Sequence, residues 1–337
     1  LYGGKLAGKN GIGISGAFEM YGGTIIDSTD SGVRLYNSAE FTMNGGAITG
    51  NSVAKGGAGA GVRIEGGKFT MNGGSITENS IVSNGFGGGV YVKYQTNFIM
   101  NGGTISRNTL GTNSEGGGVY DFGTFEMNNG EIIDNSTDGA GGGVYSRGWD
   151  SEPAGSSKFI MRGGRITGNT ANALTGGLTY DTGAGVYVDT SGYFCIEKNP
   201  DTDIIITGNT KKDSGAEKNV YLYYKKTTGM DANTGQMMYI TAPLTGTIRM
   251  GVTTVKTLTN SGIAIATFDD EKYISGVKLY DVFKSDAGSD YIAARYTETS
   301  KDIVLKNHPI HNYSVYEASG STITEKCSEC GQSGGTL

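Results

Sequence analysis

Apolar residues along the first two thirds of the chain recur in one fixed pattern. Phe41-Thr42-Met43-Asn44-Gly45-Gly46-Ala47-Ile48 aligns without gaps with Phe69 to Ile76, Phe98 to Ile105 and Phe125 to Ile132. Phe18 to Ile25 and Phe159 to Ile166 join them, with Tyr21 and Arg162 in the Asn place. A second asparagine, Asn51, Asn79, Asn108, Asn135, Asn169 or Asn209, stands three residues beyond the Ile. A third element follows: Gly32-Val33, Gly61-Val62, Gly89-Val90, Gly118-Val119, Gly143-Val144, Gly185-Val186 and Asn219-Val220. Most repeats lie 25 to 29 residues apart, and two are longer because of insertions near Trp149 and Leu174.

Within each short run the alternation has a period of two, which predicts strands with Phe41, Met43, Ile48, Val62 and Ile64 inward and Thr42 outward. Such strands are too short to bury a face alone, so a unit holding three of them is stable only when coil stacks on coil. The predicted fold class is all-β: a right-handed parallel β-helix, or β-solenoid, of about seven to ten coils with a C-terminal β cap. Propeller blades are longer than this unit. The Gly-Gly pair allows a positive φ at a tight corner. Stacked asparagines can satisfy the carbonyls that a bend would orphan.

The pattern divides the chain into 1–221, parallel β-helix repeats; 222–307, irregular terminal coils and a β cap; and 308–337, a linker or the start of a Cys-containing module. Strand signals in the middle part are Met238-Tyr239-Ile240, Thr247 to Met250, Ile263 to Ala266 and Ile303-Val304-Leu305. A cap is expected because the open end of a β-helix is a sheet edge prone to aggregation.

Phe-x-x-Asn followed by Gly-Gly-x-Ile resembles the paired motifs of the polymorphic outer-membrane autotransporter proteins, and Phe41 to Ile48 satisfies both. The run from Phe18 to Val220 is also similar to repeat regions of large surface proteins of Gram-positive gut bacteria. The resemblance implies a β-helical, cell-surface adhesin. The matching residues are structural and identify no binding site.

Composition narrows the picture. Glycine supplies 59 of 337 residues, a bias toward repeated turns, while four prolines without a G-X-Y period exclude collagen. The formal charge is −6 with no basic block, which points away from nucleic acid. No apolar run is long enough for a helical membrane span, so no membrane insertion is expected. The start at Leu1, without Met or leader, reads as an excised piece of a longer extracellular protein. Three cysteines make no disulfide framework, so export is expected from the architecture.

The expected function is therefore a non-catalytic extracellular surface protein, an adhesin or stalk presenting a binding face to a host glycan or surface protein. The alternative is a polysaccharide-processing lyase or glycosidase on a β-helix scaffold. Paired carboxylates on neighbouring coils are few, the repeat region lacks histidine, and pectinase-type motifs are missing. Asp121, at a place held by Ile64 or Val92 elsewhere, is expected at a corner. An ice-binding array is disfavoured because Ser106 and Ile133 interrupt the outward row Thr49, Thr77, Thr167 and Thr207.

Candidate ligand-binding residues follow the inward Val. Arg34, Arg63, Tyr91, Tyr120, Tyr145, Tyr187 and Tyr221 form one outward row, flanked by Lys93, Arg147 and Asp189. Aromatic rings beside polar groups suit sugars, although the same row can serve as a purely structural ladder. Trp149, in an insertion with Arg147, Asp150 and Glu152, is a second candidate. No cofactor is expected in the β-helix. In the tail, His308, His311, Cys327 and Cys330 can make a structural zinc site, a Cys327–Cys330 disulfide, or merely an incomplete linker.

Overall fold

The computed structural model describes residues 1–148, 157–172, 182–189, 191–223, 237–254, 263–288, 291–297, 299–307, 313–319, 322–327 and 333–336. Among them the chain forms a parallel β-helix. One wall is an eleven-stranded sheet that opens with Ala17–Met20, Glu40–Met43, Lys68–Met71, Asn97–Met100 and Thr124–Met127 and continues through Lys158–Met161, Phe194–Ile196, Met238–Ile240 and Ile263–Phe268. All these strands pair in parallel, and antiparallel Asp302–Asn307 and Tyr291–Arg295 close the sheet. Parallel stacking thus continues beyond residue 221, and an eighteen-stranded sheet ends on Phe283–Ser285.

Register explains the core. Met43, Met71, Met100, Met127 and Met161 are direct neighbours in one interior column, each fully buried, as the alternation predicts. Beside them Phe41, Phe69, Phe98, Phe125, Phe159 and Phe194 stack at 4.8 to 5.0 Å between ring centroids. That spacing is the rise of one coil. The glycine corner is obligatory: at Gly46, φ is +88° and a Cβ would meet Met20 Cε at 2.6 Å and the Gly23 carbonyl oxygen at 2.7 Å.

Three strands per coil is an undercount. A third sheet, Ser52–Lys55, Ser80–Ser83, Thr109–Thr112, Ser136–Thr137, Thr170–Ala171 and Thr210–Lys211, follows the ladder asparagine and adds a fourth strand to these coils. It buries Val53, Ile81 and Leu110 in a separate small core. Only one or two residues per strand alternate there, too few for the pattern to announce it.

Two asparagine ladders run along the corners. Asn72, Asn101 and Asn128 each donate Nδ2 to the Oδ1 of the preceding coil's asparagine at 2.7–2.8 Å on the surface. The other ladder is fully buried and runs the opposite way. Asn51, Asn79, Asn108, Asn135 and Asn169 donate both backbone N–H and Nδ2 to Oδ1 of the next asparagine, and Asn209 does so to Asn219. The last donors end on a carboxylate: Asn219 N and Nδ2 reach Asp286 at 2.7 and 2.8 Å, and Thr253 Oγ1 reaches it at 2.6 Å. Asp286 follows Phe283–Ser285 as the ladder asparagines from Asn51 to Asn209 follow their Ile strands, so it is the ladder's terminal rung in acidic form.

Asp121 overturns its expected corner position. It pairs with Val92 before it and Ser146 after it, and its side chain is fully buried inside the solenoid. Oδ1 accepts from Gly123 N at 3.2 Å, whereas Oδ2 and the Ser146 hydroxyl have no hydrogen-bond partner. Burial pushes the Asp121 carboxyl well above the usual range, only partly offset by the Gly123 N–H and the nearby Ser146. Strand continuity decides its place: Val119 and Asp121 flank outward Tyr120, so Asp121 inherits the inward slot.

Candidate functional site on the outer tyrosine row

The strands Val33–Leu35, Val62–Ile64, Val90–Val92, Val119–Asp121, Val144–Ser146, Val186–Val188 and Val220–Leu222 stack in register. Register therefore brings Arg34, Arg63, Tyr91, Tyr120, Tyr145, Tyr187 and Tyr221 into one row, as the sequence indicates. The tyrosine rings stack face to face, at 5.6, 5.3, 4.9 and 4.9 Å in chain order.

The row leaves the solenoid core and is nevertheless closed to solvent over most of its length. Tyr120, Tyr145, Tyr187 and Tyr221 are 4, 3, 1 and 0% exposed, in an outer cluster with Ala140, against which Phe86, Tyr91, Phe122 and Tyr223 pack. Alternation tells a residue which way to point and says nothing of what lies over it. At the other end the arginines are committed to an acid: Glu65 lies 2.8 Å from Arg34 and 2.6 Å from Arg63. Against the upward pull of partial burial, those guanidiniums hold the Glu65 carboxyl below its usual range.

The chemically richest part of the row surrounds Tyr120 and Tyr145. Tyr145 Oη donates to Asp189 Oδ2 at 2.9 Å, Arg147 Nη1 donates to Tyr120 Oη at 3.4 Å, and Arg147 Nε lies 3.8 Å from Asp189 Oδ2. Glu115 joins them from the turn before Gly116. Its Oε2 is sealed from solvent without a partner, and burial pushes its carboxyl up to about 7, with Arg147 opposing and Asp189 adding to the rise. Burial also raises the Tyr120 and Tyr145 hydroxyls, which stay protonated at neutral pH. The Arg147 side chain remains 48% exposed and Asp189 17%. A half-open guanidinium beside a carboxylate offers a donor and an acceptor together, the pairing that sugar hydroxyls need, and Glu115 can hold or release a proton near neutrality.

Arg147 and Asp189 were visible in the sequence as flanks of the tyrosine row. Glu115 was not singled out, although a signal existed. Bridging places it in line with Phe86 and Ala58, the residues that precede Gly-x-Gly-Val in earlier coils, so it is an acid at a small or apolar position. Trp149 lies outside the described residues, as do His308, His311 and Cys330 of the zinc expectation. Cys327 is buried on Thr322–Cys327, part of a three-stranded antiparallel sheet with Tyr313–Ser319 and Ser333–Thr336.

No known protein family, curated protein or solved structure matches the chain. The class is set by the fold itself, an all-β protein built as a parallel β-helix.

Proposed function

We propose that the chain is a non-catalytic extracellular surface protein: a rigid stalk that carries a binding face for a glycan or a surface protein. The observation behind this reading is the continuous coil-on-coil stacking of the interior, in which Asp121 and Ser146 interrupt one apolar column. Phe, Met, Ile and Val columns and the buried asparagine ladder run from coil to coil until Asp286 ends them. Nine parallel strands of the Phe–Met wall at the usual strand spacing make a rod roughly 40 Å long. Every coil is filled by its own side chains, so the interior holds the shape while outward residues are free to vary.

The outward cluster of Arg147, Asp189 and Glu115 is the part of the tyrosine row fitted to contact a ligand. Beads coated with the chain are expected to adhere to immobilised mucin, and Arg147→Gln to reduce that adhesion severalfold while the far-ultraviolet spectrum is unchanged. Adhesion unaltered by Arg147→Gln removes the tyrosine row from the binding face.

One observation favours the enzymatic alternative: Glu115, with a sealed oxygen and a carboxyl at about 7, shares its surroundings with a second carboxylate and an arginine. A reducing-end assay on polysaccharides separates the readings. New ends that appear with the wild type and vanish with Glu115→Gln would replace the non-catalytic reading.

A further inference from the structure

A cleft of about 870 Å³ opens where the last coils meet the cap, lined by Thr207, Leu244, Gly246 and Ile204–Thr207's neighbour strand Ile248–Thr253 on one side and by 276–278 with the short helix Leu279–Val282 on the other. That size is typical of small-molecule sites.

The lining has a definite chemistry. Leu244, Ile248, Met250 and Val282 are buried behind the cleft wall, Val277 is half-buried at its edge, and Arg249, Lys278 and Lys284 present three cations against one acid, Asp281. All four charged side chains lie on exposed residues. Lys284 keeps a loose, exposed pairing with Asp281 at 3.9 Å and lies 6.0 Å from the centroid of the Tyr280 ring. The side chains of Arg249 and Lys278 have no hydrogen-bond or ion-pair partner among the described residues. In a chain of net charge −6, where Arg34, Arg63, Arg147 and Arg162 all face carboxylates, this is a local excess of uncommitted positive charge.

We propose that this cleft is a binding site for an oligosaccharide bearing carboxylate or sulfate groups. The sugar lies against half-buried Val277 and the aliphatic stems of Arg249 and Lys278, and its anionic groups meet their charged ends. Arg offers a planar fork of donors that matches a carboxylate or sulfate, and Lys a point charge. An inorganic anion would fill little of a cleft of about 870 Å³, which is why the ligand is an acidic sugar. The lining shares no residue with the tyrosine row, and the inference rests on the surface-protein reading only for the presence of such a polymer outside the cell.

Calorimetric titration of the whole chain tests it, with an oligogalacturonate trimer, the same trimer fully methyl-esterified, and a sulfated disaccharide as probes. The trimer or the sulfated sugar is expected to bind, which of them does so telling carboxylate from sulfate. Methyl esterification and the double variant Arg249→Gln/Lys278→Gln are each expected to weaken trimer binding about tenfold or more, since charge-assisted contacts are lost. Raising the salt is expected to weaken it further. Arg147→Gln, on the tyrosine row, is expected to bind as wild type, so loss of mucin adhesion and loss of this site are read separately. Equal affinity for the ester, unchanged binding by the double variant, or no binding of either anionic probe at about 10 mM would overturn the assignment.

Discussion

Two kinds of polar group lie in the interior of this solenoid, and they are treated very differently. The asparagine ladder carries fully buried amides through coil after coil, yet every Oδ1 from Asn79 to Asn219 accepts two N–H donors and every Nδ2 has an acceptor. Asp121, one strand away, is just as buried and leaves Oδ2 without a partner beside an equally unpartnered Ser146 hydroxyl. A polar group is tolerated in this lumen when the same group recurs one coil away, because each copy supplies what its neighbour needs. Asp121 and Ser146, adjacent intruders in the column of Leu35, Ile64, Val92 and Val188, differ from each other and build no such repeating chain.

The largest effect is expected from breaking the ladder. Asn108→Leu removes the acceptor of two Asn79 donors and the donor to the Ile76 carbonyl, which should cost about 3–6 kcal/mol, read as a fall in the denaturant midpoint. Met100→Ala, a truncation in the adjoining apolar column, should cost about 2–5 kcal/mol by the same assay. If the two rank in reverse, apolar packing matters more than the ladder. Asp286→Ala should cost about 1–3 kcal/mol by orphaning the end of the ladder, with Asp286→Asn recovering most of it.

Asp121 should behave oppositely. Asp121→Val repeats Val92 of the preceding coil and should stabilise by about 1–3 kcal/mol at pH 8. The pH sign follows from the raised carboxyl. A folded-state pKa above the unfolded one means the native chain holds the proton longer, so stability is greatest below about pH 4 and declines as pH rises toward the folded value. Glu115 adds a smaller decline between its ordinary 4.5 and about 7. Melting temperature against pH should therefore slope downward in the wild type, and flatten first in Asp121→Val and then further with Glu115→Gln. A wild-type profile that rises through this window would contradict the burial of both acids.

Much of this was legible in the sequence because repetition exposes it. Phe41 and Met43 recur at fixed offsets, and recurrence fixed their register and depth, as it did for Asn51 and Gly46. What escaped was what does not recur. Glu115, Asp121 and Asp286 each occur once, in slots whose meaning is set by other coils, and only their alignment with Phe86, Val92 and the ladder asparagines gives them roles. The closure of the Tyr145 row depends on packing over it by residues distant in sequence, such as Phe86 and Tyr223, which no local alternation encodes.

The central claim, that the buried asparagine ladder ties the coils into one rod, is tested most directly by amide hydrogen exchange. The backbone N–H groups of Asn79, Asn108, Asn135 and Asn169, each bonded to the next asparagine side chain, should exchange only through global unfolding. In Asn135→Ala the protection of Asn108 should collapse first, because its acceptor is gone. Exchange of these amides in the wild type at the rate of exposed turns, or an Asn108 protection indifferent to Asn135→Ala, would contradict the account.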